Sequence, residues 1–201
     1  MSNQKQLVLD IGGVLATNLS PFFWEELSTT SKIHYDKLIE YKNSVRTELW
    51  AGKITEDQFW SGLSKKHPSI EKGVAKPMLL SHLKLLPAIH HIAKWSQFAD
   101  IHILSNHRME WIEPILKEIE NDVKSVTVSS EVGYCKPHKD IYTTIQAKLD
   151  SEKETLFVDD QEQNFVEART LGWKTLLADE QGSWINQIMP LLLSAKFSLG
   201  M

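Results

Sequence analysis

The chain has 201 residues, the size of one domain or of one core with a large insertion. Hydrophobic residues make up 42% of it and charged residues 24%, as in ordinary globular proteins, which argues against disorder along the whole chain. The net charge of −4 argues against a surface dominated by contacts with nucleic acid or anionic lipid.

Short apolar runs along the chain predict buried strands. None of them alternates with polar residues, which is typical of strands covered on both faces. Helical patterns lie between the later runs, and strands that alternate with helices predict an α/β fold with a parallel, doubly wound sheet. The predicted strands are Leu7–Leu9, Ile101–Leu104, Val126–Val128, Leu156–Val158 and Thr175–Leu177; the helical faces are Ile112/Ile115/Leu116/Ile119, Ile141/Ile145/Leu149 and, less regularly, Phe165/Val166/Ala168.

A long segment without strands follows the first of these runs. Leu38, Tyr41, Val45 and Leu49 have helical spacing, and Thr55 with Gln58 forms a capping box that predicts the start of another helix. The segment is too long for a structureless loop. We therefore predict an α-helical domain over residues 18–86, inserted into an α/β core made of residues 1–17 and 87–201.

Polar residues follow four of the predicted strands. Ligands bind at the carboxyl ends of the strands in open α/β sheets, so we expect these side chains to meet at one edge. Three carboxylates held together repel one another unless a cation joins them, and oxygen ligands favour Mg²⁺. The residues are Asp10, Ser105, Asn106, Lys136, Asp159 and Asp160.

This set of side chains suits a phosphoryl group. A metal ion and Lys136 would neutralise phosphate oxygens, and the Ser105 hydroxyl would donate to one of them. Asp10 could then attack phosphorus to form an aspartyl-phosphate, which water would cleave.

Four motifs resemble those of the haloacid dehalogenase-like (HAD) superfamily. They occur in the order typical of that superfamily, 95, 31 and 23 residues apart, and span about three quarters of the chain. The helical insertion falls where the family often places its cap. The motifs are Leu-Asp10-Ile-Gly-Gly-Val-Leu, Leu-Ser105-Asn106, Lys136-Pro137 leading to Ile141-Tyr142, and Phe-Val-Asp159-Asp160 with Asn164.

The resemblance implies a role for each matched position. Asp10 would be the nucleophile and a metal ligand, together with the backbone carbonyl of Gly12 and the side chain of Asp160. Asp159 would hold a metal-bound water. The resemblance assigns the phosphate to Ser105, Asn106 and Lys136.

Position 12 departs from the pattern. Most phosphatases of the family have a second Asp there as general acid and base, a role that typically contributes about 10²–10⁴-fold in rate. Three readings follow from Gly12: an active phosphatase with another proton donor, resembling the sugar-phosphate phosphatases that also have Gly here; an enzyme limited to good leaving groups; or a protein that binds a phosphometabolite or a partner without turnover. A phosphotransferase is disfavoured because it normally needs the same acid, and a dehalogenase because Asp159 and Asp160 look built for a metal.

A few further residues carry weaker hypotheses. His107 follows Ser105-Asn106 and could supply the missing proton, although a histidine at a helix start is the commoner role. Arg46 and Trp50 could face the site as a specificity pair or simply lie on a helix face. Cys135 is more simply a buried inert thiol than a redox site.

The remaining expectations concern location and partners. Cys135 is the single cysteine, so no intrachain disulfide can form, and a reducing, cytoplasmic location fits best. The start of the chain is polar, and no apolar run near either end approaches the roughly 20 residues of a membrane span. We expect a small phosphorylated substrate, no nucleic-acid or membrane partner, and a monomer or homodimer.

Overall fold

The computed structural model describes residues 5–194 and contains a five-stranded, all-parallel sheet. The spatial order of the strands is β3-β2-β1-β4-β5, so the chain crosses over after β3 to reach the other side of β1. This confirms the predicted doubly wound α/β core. The strands are β1 (Lys5–Leu9), β2 (Asp100–Ser105), β3 (Val123–Val128), β4 (Glu154–Asp159) and β5 (Lys174–Leu177).

The central and edge strands differ in burial. Every residue of β1 is buried, because β1 pairs with both β2 and β4. The prediction that all five strands are covered on both faces is wrong for β3 and β5. Within residues 5–194 each has a neighbouring strand on one side only, and Leu177 on β5 keeps 46% of its surface exposed.

Helices cover both faces of the sheet. Leu7 and Leu9 point into one apolar cluster and Val8 into the other, since alternate residues of a strand face opposite sides. Val166 is 62% exposed, so it does not share the buried face of Phe165 and Ala168. No helix between residues 5 and 194 is long and apolar enough to cross a membrane. The helices of the core are α5 (Ile92–Trp95), α6 (Met109–Lys117), α7 (Ser129–Val132), α8 (Lys139–Gln146), α9 (Phe165–Thr170) and α10 (Ile185–Leu193). The core also contains two 3₁₀ segments, Pro87–His91 and Glu162–Asn164.

Four helices between β1 and β2 form what we call the cap, residues 22–81. The predicted capping box is present: the Thr55 side chain accepts from the Gln58 backbone, and the Gln58 side chain accepts from the Thr55 backbone. The cap packs around an apolar cluster that includes Phe23, Tyr41 and Trp60 and that also takes in Trp111 of α6. The predicted boundaries also take in residues 1–4 and 195–201, which lie outside the described residues. The cap helices are α1 (Phe22–Ser31), α2 (Tyr35–Trp50), α3 (Glu56–Lys66) and α4 (Lys72–Ser81).

The two segments that join the cap to the core run side by side. Thr17 donates its backbone N–H to Lys84 at 2.9 Å, and Leu86 donates to Leu15 at 2.8 Å. The cap therefore enters and leaves the core at one place, directly after the carboxyl end of β1.

Candidate active site

The carboxyl ends of β1, β2 and β4 place three polar residues next to one another. Asp10 follows β1 and donates its backbone N–H to Val158 of β4 at 3.0 Å. Ser105 ends β2 and Asp159 ends β4. This edge of the sheet is where open parallel sheets bind their ligands.

Three acids come together at this edge. Asp10, Asp159 and Asp160 each offer a carboxylate oxygen, and these three atoms lie within 4.8 Å of one another. Asp10 and Asp159 are buried and Asp160 is half-buried. Burial is the largest influence on Asp10 and Asp160, and it raises the pKa of both carboxyl groups above the ordinary value. The cluster therefore places three oxygen donors closely enough together to hold a metal ion.

Lys136 sits between two of these acids. Its Nζ lies 2.9 Å from Asp10 Oδ2 and 2.6 Å from Asp159 Oδ2, and it donates to the Leu104 carbonyl at 2.9 Å. The side chain is completely buried. Burial alone would lower the pKa of Lys136, but the two carboxylates outweigh it and raise that pKa, so the ammonium stays charged.

Asp159 is held from several sides. Its Oδ1 accepts from the Gln161 backbone and from the Asn164 side chain, both at 2.9 Å. Tyr142 fixes Asn164 in turn by donating to its carbonyl at 2.5 Å. Asp159 is therefore a rigid acceptor in the floor of the site.

Ser105 and Asn106 differ in what they are free to do. The Ser105 hydroxyl is buried and makes no hydrogen bond of ordinary geometry within the described part of the chain, but it lies close enough to the Asp10 carboxyl group to lower the pKa of that group. Both ends of the Asn106 amide are engaged: Nδ2 donates to the Lys136 carbonyl at 2.9 Å, and Oδ1 accepts from the Lys136 N–H at 2.6 Å. Ser105 thus has a hydroxyl beside Asp10 that a ligand could engage, whereas the Asn106 side chain holds the Lys136 loop in place.

Asn18 belongs to the site, and the sequence analysis missed it. Its Nδ2 donates to Asp160 Oδ2 at 2.9 Å. A side chain at Gly12 would place its Cβ 2.7 Å from Asn18 Oδ1, so Asn18 fills the space beside that glycine. Asn18 lies in an irregular segment before the cap, where no sequence pattern indicates which way the side chain turns.

A pocket of about 450 Å³ opens above these residues, between the core and the cap. That volume is within the range of roughly 300–1,000 Å³ typical of small-ligand sites. Arg46 and Trp50 both line this pocket, as expected if they face the site as a specificity pair. Lys42 lines it too, although it was not among the residues predicted from the sequence. Its aromatic lining comes from Phe23, Trp24, Trp50, Phe59 and Trp111.

His107 also lines the pocket but is poorly suited to donate a proton. It is buried, it packs edge-on against Trp50 with ring centroids 5.0 Å apart, and its Nδ1 has no partner among the described residues. Burial lowers the pKa of His107 to about 4. The imidazole is therefore neutral near pH 7, which argues against it as the acid absent at Gly12.

Comparisons with known proteins bear on the fold. No family sequence model and no curated protein matches the chain, but solved structures do. A predicted HAD-like family hydrolase from Porphyromonas gingivalis is 21% identical with a TM-score of 0.78, over 94% of this chain and 98% of the other. A HAD family enzyme from Bacteroides thetaiotaomicron, solved with magnesium and inorganic phosphate, is 21% identical with a TM-score of 0.79, over 91% and 98%. This chain has the HAD-like fold.

The HAD-like fold is shared by proteins of different chemistry. An L-2-haloacid dehalogenase from Xanthobacter autotrophicus is 16% identical, with a TM-score of 0.56 over 85% of this chain and 76% of the other. Overall shape therefore leaves the reaction open, because functions differ on a common fold. The reaction depends on the acids, the lysine and the pocket.

Proposed function

We propose that this protein is a Mg²⁺-dependent phosphatase that hydrolyses a small phosphorylated metabolite through an aspartyl-phosphate. The observation that carries the proposal is the cluster of Asp10, Asp159 and Asp160 around the buried Lys136. A dehalogenase working without a metal would have no use for three clustered carboxylates, each raising the cost of ionising the others.

The metal would be held by Asp10, Asp160 and the Gly12 carbonyl. When bound, Mg²⁺ would polarise the phosphoryl group and offset its negative charge. The fit rests on the oxygen donors of the acid cluster, which match the preference of a hard cation. Asp159, with both oxygens already accepting, would orient the site.

The chain's own residues would carry the covalent step. The Asp10 carboxylate is oriented on one side by the Ile11 N–H at 2.7 Å and on the other by Lys136. One of its oxygens would attack phosphorus as the bond to the leaving oxygen breaks, and Ser105 and Lys136 would stabilise the phosphoryl oxygens. Water would then attack phosphorus, releasing inorganic phosphate and restoring the carboxylate.

A second candidate is a protein that binds a phosphorylated metabolite or a partner with little or no turnover. Gly12 supports it, because the neutral amide of Asn18 fills the space beside Gly12, where the family's acid would stand. His107, which is neutral near pH 7, is poorly suited to donate the proton in place of that acid. A third possibility, intermediate between an efficient phosphatase and a binding protein, is an enzyme limited to substrates whose leaving oxygen needs no proton.

Phosphate release separates these candidates. We would assay p-nitrophenyl phosphate and a panel of phosphorylated metabolites with Mg²⁺ and with EDTA, using wild type, Asp10→Asn and, as control, the exposed Asp36→Asn. A phosphatase predicts metal-dependent release that Asp10→Asn reduces by at least about 10³-fold and Asp36→Asn leaves unchanged. Full activity of Asp10→Asn would refute the covalent mechanism. A folded wild-type protein that binds Mg²⁺ but releases no phosphate would favour the binding protein.

A further inference from the structure

The charges that line the pocket are unequal. Asp10 is the one acidic residue among the described lining residues, whereas Lys42, Arg46 and Lys136 are basic. Lys136 is neutralised by Asp10 and Asp159. Lys42 and Arg46 have no such acidic partner among the described lining residues.

Lys42 and Arg46 lie one turn apart on α2, on the face that looks into the pocket. Neither forms an ion pair with any residue between 5 and 194 within 4.0 Å. Lys42 donates to the Ser20 hydroxyl at 2.7 Å. Burial, followed by the charge of Arg46, lowers the pKa of Lys42, as expected for like charges held close without a counterion.

The cap and α6 also contribute apolar side chains to the lining. Trp24 and Trp111 are buried, and Trp50 is half-buried beside the α2 cations. Apolar walls with a few converging polar groups are typical of sites that take the carbon skeleton of a small ligand. A phosphoryl group at Asp10 would leave the cap side of the pocket, with its two cations, to the rest of the molecule.

We propose that the substrate is a phosphomonoester with a second anionic group, which Lys42 and Arg46 bind at the cap side of the pocket. This inference rests on the proposed phosphoryl site at Asp10. The second group is a carboxylate or a second phosphate on a short carbon chain, and both would pair with a lysine and an arginine. A phosphorylated neutral sugar or alcohol would leave the two cations unpaired.

Binding of phosphonates tests the proposal without any turnover. We would measure dissociation constants by calorimetry in the presence of Mg²⁺, using alkylphosphonates of two to five carbons. Each would be paired with the ligand of similar length that ends in a carboxylate, such as propylphosphonate with 3-phosphonopropionate, and with the corresponding bisphosphonate. The variants are Lys42→Met and Arg46→Met, with Lys37→Met as control, because Lys37 is exposed on the same helix and does not line the pocket.

The proposal predicts that a ligand with a second anion binds wild type at least about tenfold more tightly than its alkyl partner at one or more chain lengths. Lys42→Met and Arg46→Met should each reduce that ratio at least about threefold while leaving the alkylphosphonate constant within about twofold. Lys37→Met should match wild type. Whichever terminal group gives the larger ratio identifies the second anion.

Other outcomes would overturn the inference. A ratio near one in wild type would refute the second anion. Equal losses for both ligands in the two variants would assign the cations to the phosphoryl group itself. If no phosphonate bound, with or without a second anion, the phosphoryl site of the proposed function would fail as well. If alkylphosphonates bound and a second anion added nothing, only this inference would fail.

Discussion

The position of the Asp160 side chain depends on two neighbouring residues, Gly13 and Asn18. Gly13 has a φ of +68°, in the left-handed region, and a Cβ there would lie 2.4 Å from Asp160 Oδ2. Asn18 donates to that same oxygen. A glycine is therefore required at position 13 for two separate reasons, the backbone conformation and the close approach of a carboxylate.

The effect of backbone conformation can be separated from that of the close carboxylate by comparing Gly13→Ala with an alanine substitution at another glycine of positive φ. Gly172 also has a positive φ, +77°, but a Cβ there would meet no atom of residues 5–194 within 4 Å. Gly172→Ala should lower the free energy of unfolding by about 1 kcal/mol through backbone strain alone and leave Mg²⁺ affinity unchanged. Gly13→Ala should cost at least as much stability and also weaken Mg²⁺ binding about tenfold or more, because Asp160 must move. Urea denaturation and calorimetric Mg²⁺ titration measure the two effects, and wild-type Mg²⁺ affinity in Gly13→Ala would contradict the argument.

At the scale of elements, the cap is fastened to the core by buried polar contacts. The Arg108 guanidinium, just before α6, donates to the carbonyls of Leu49 at 3.3 Å and Ile54 at 2.7 Å, at the end of α2 and just before α3. Ser129 at the start of α7 donates to the Trp50 carbonyl at 2.7 Å. These bonds fix the α2–α3 turn against the core, which places the end of α2 beside the pocket.

Glu56 is the acceptor at which cap and core meet. Its Oε1 accepts from the indole N–H of Trp60 at 3.1 Å and of Trp111, on α6, at 2.8 Å, and its Oε2 lies 2.8 Å from Lys76 Nζ. Burial alone would raise the pKa of Glu56, but these donors together lower it. The carboxylate therefore links α3, α4 and α6 in its ionised form.

Removing this carboxylate should destabilise the protein far more than removing its neighbour. Glu56→Ala leaves two buried indole N–H groups and Lys76 without their acceptor and should lower the free energy of unfolding by about 3 kcal/mol. Asp57→Ala removes an acid from the same helical turn, but its pairing with Lys72 is exposed, so its loss should cost far less stability than the loss of Glu56. Urea unfolding followed by circular dichroism measures both. Equal losses would show that Glu56 is not a structural link.

Across the whole molecule, the sequence predicts what depends on local pattern. The five strands and their parallel arrangement follow from short apolar runs such as Leu156–Val158, and the start of α3 follows from the capping box of Thr55 and Gln58. The convergence of Asp10 and Asp159 follows from their places at the ends of neighbouring parallel strands. Predicting these features requires only the periodicity of apolar residues and the rules of parallel-sheet topology.

Features that depend on contacts between distant segments could not be predicted. Asn18 contacts Asp160 across 142 positions of the chain, and nothing in its neighbourhood indicates that contact. Lys42 resembles any charged residue on an amphipathic helix until the packing of the cap on the core turns it into the pocket. Edge strands such as β5 are likewise identified only by strand order, which short apolar runs do not encode.

The pH dependence of stability is a sum of opposing contributions from the whole molecule. Burial lowers the pKa of His102 to about 4, and its Nδ1 lies 2.8 Å from the Ser125 hydroxyl. The folded pKa lies below the unfolded value of about 6.5, so the unfolded state takes up the proton first. Stability from neutral His102 is complete above pH 6.5 and is lost as the pH falls towards 4. The raised pKa of Asp10 acts in the opposite direction, since the folded state then binds the proton more tightly than the unfolded state.

Comparing the pH dependence of stability of wild type and His102→Gln separates the contribution of His102 from the opposing contribution of Asp10. We expect wild type to lose about 1 kcal/mol more stability than His102→Gln between pH 7.5 and 5.5, because the glutamine has no proton to take up on unfolding. His34→Gln is the control: that side chain is 74% exposed, so its removal should leave the pH dependence as in wild type. Urea midpoints at the two pH values measure each change, and the Asp10 contribution cancels because all three proteins share it. A His102→Gln profile parallel to that of wild type would mean that His102 titrates alike in the folded and unfolded chains, which its burial in the central sheet argues against.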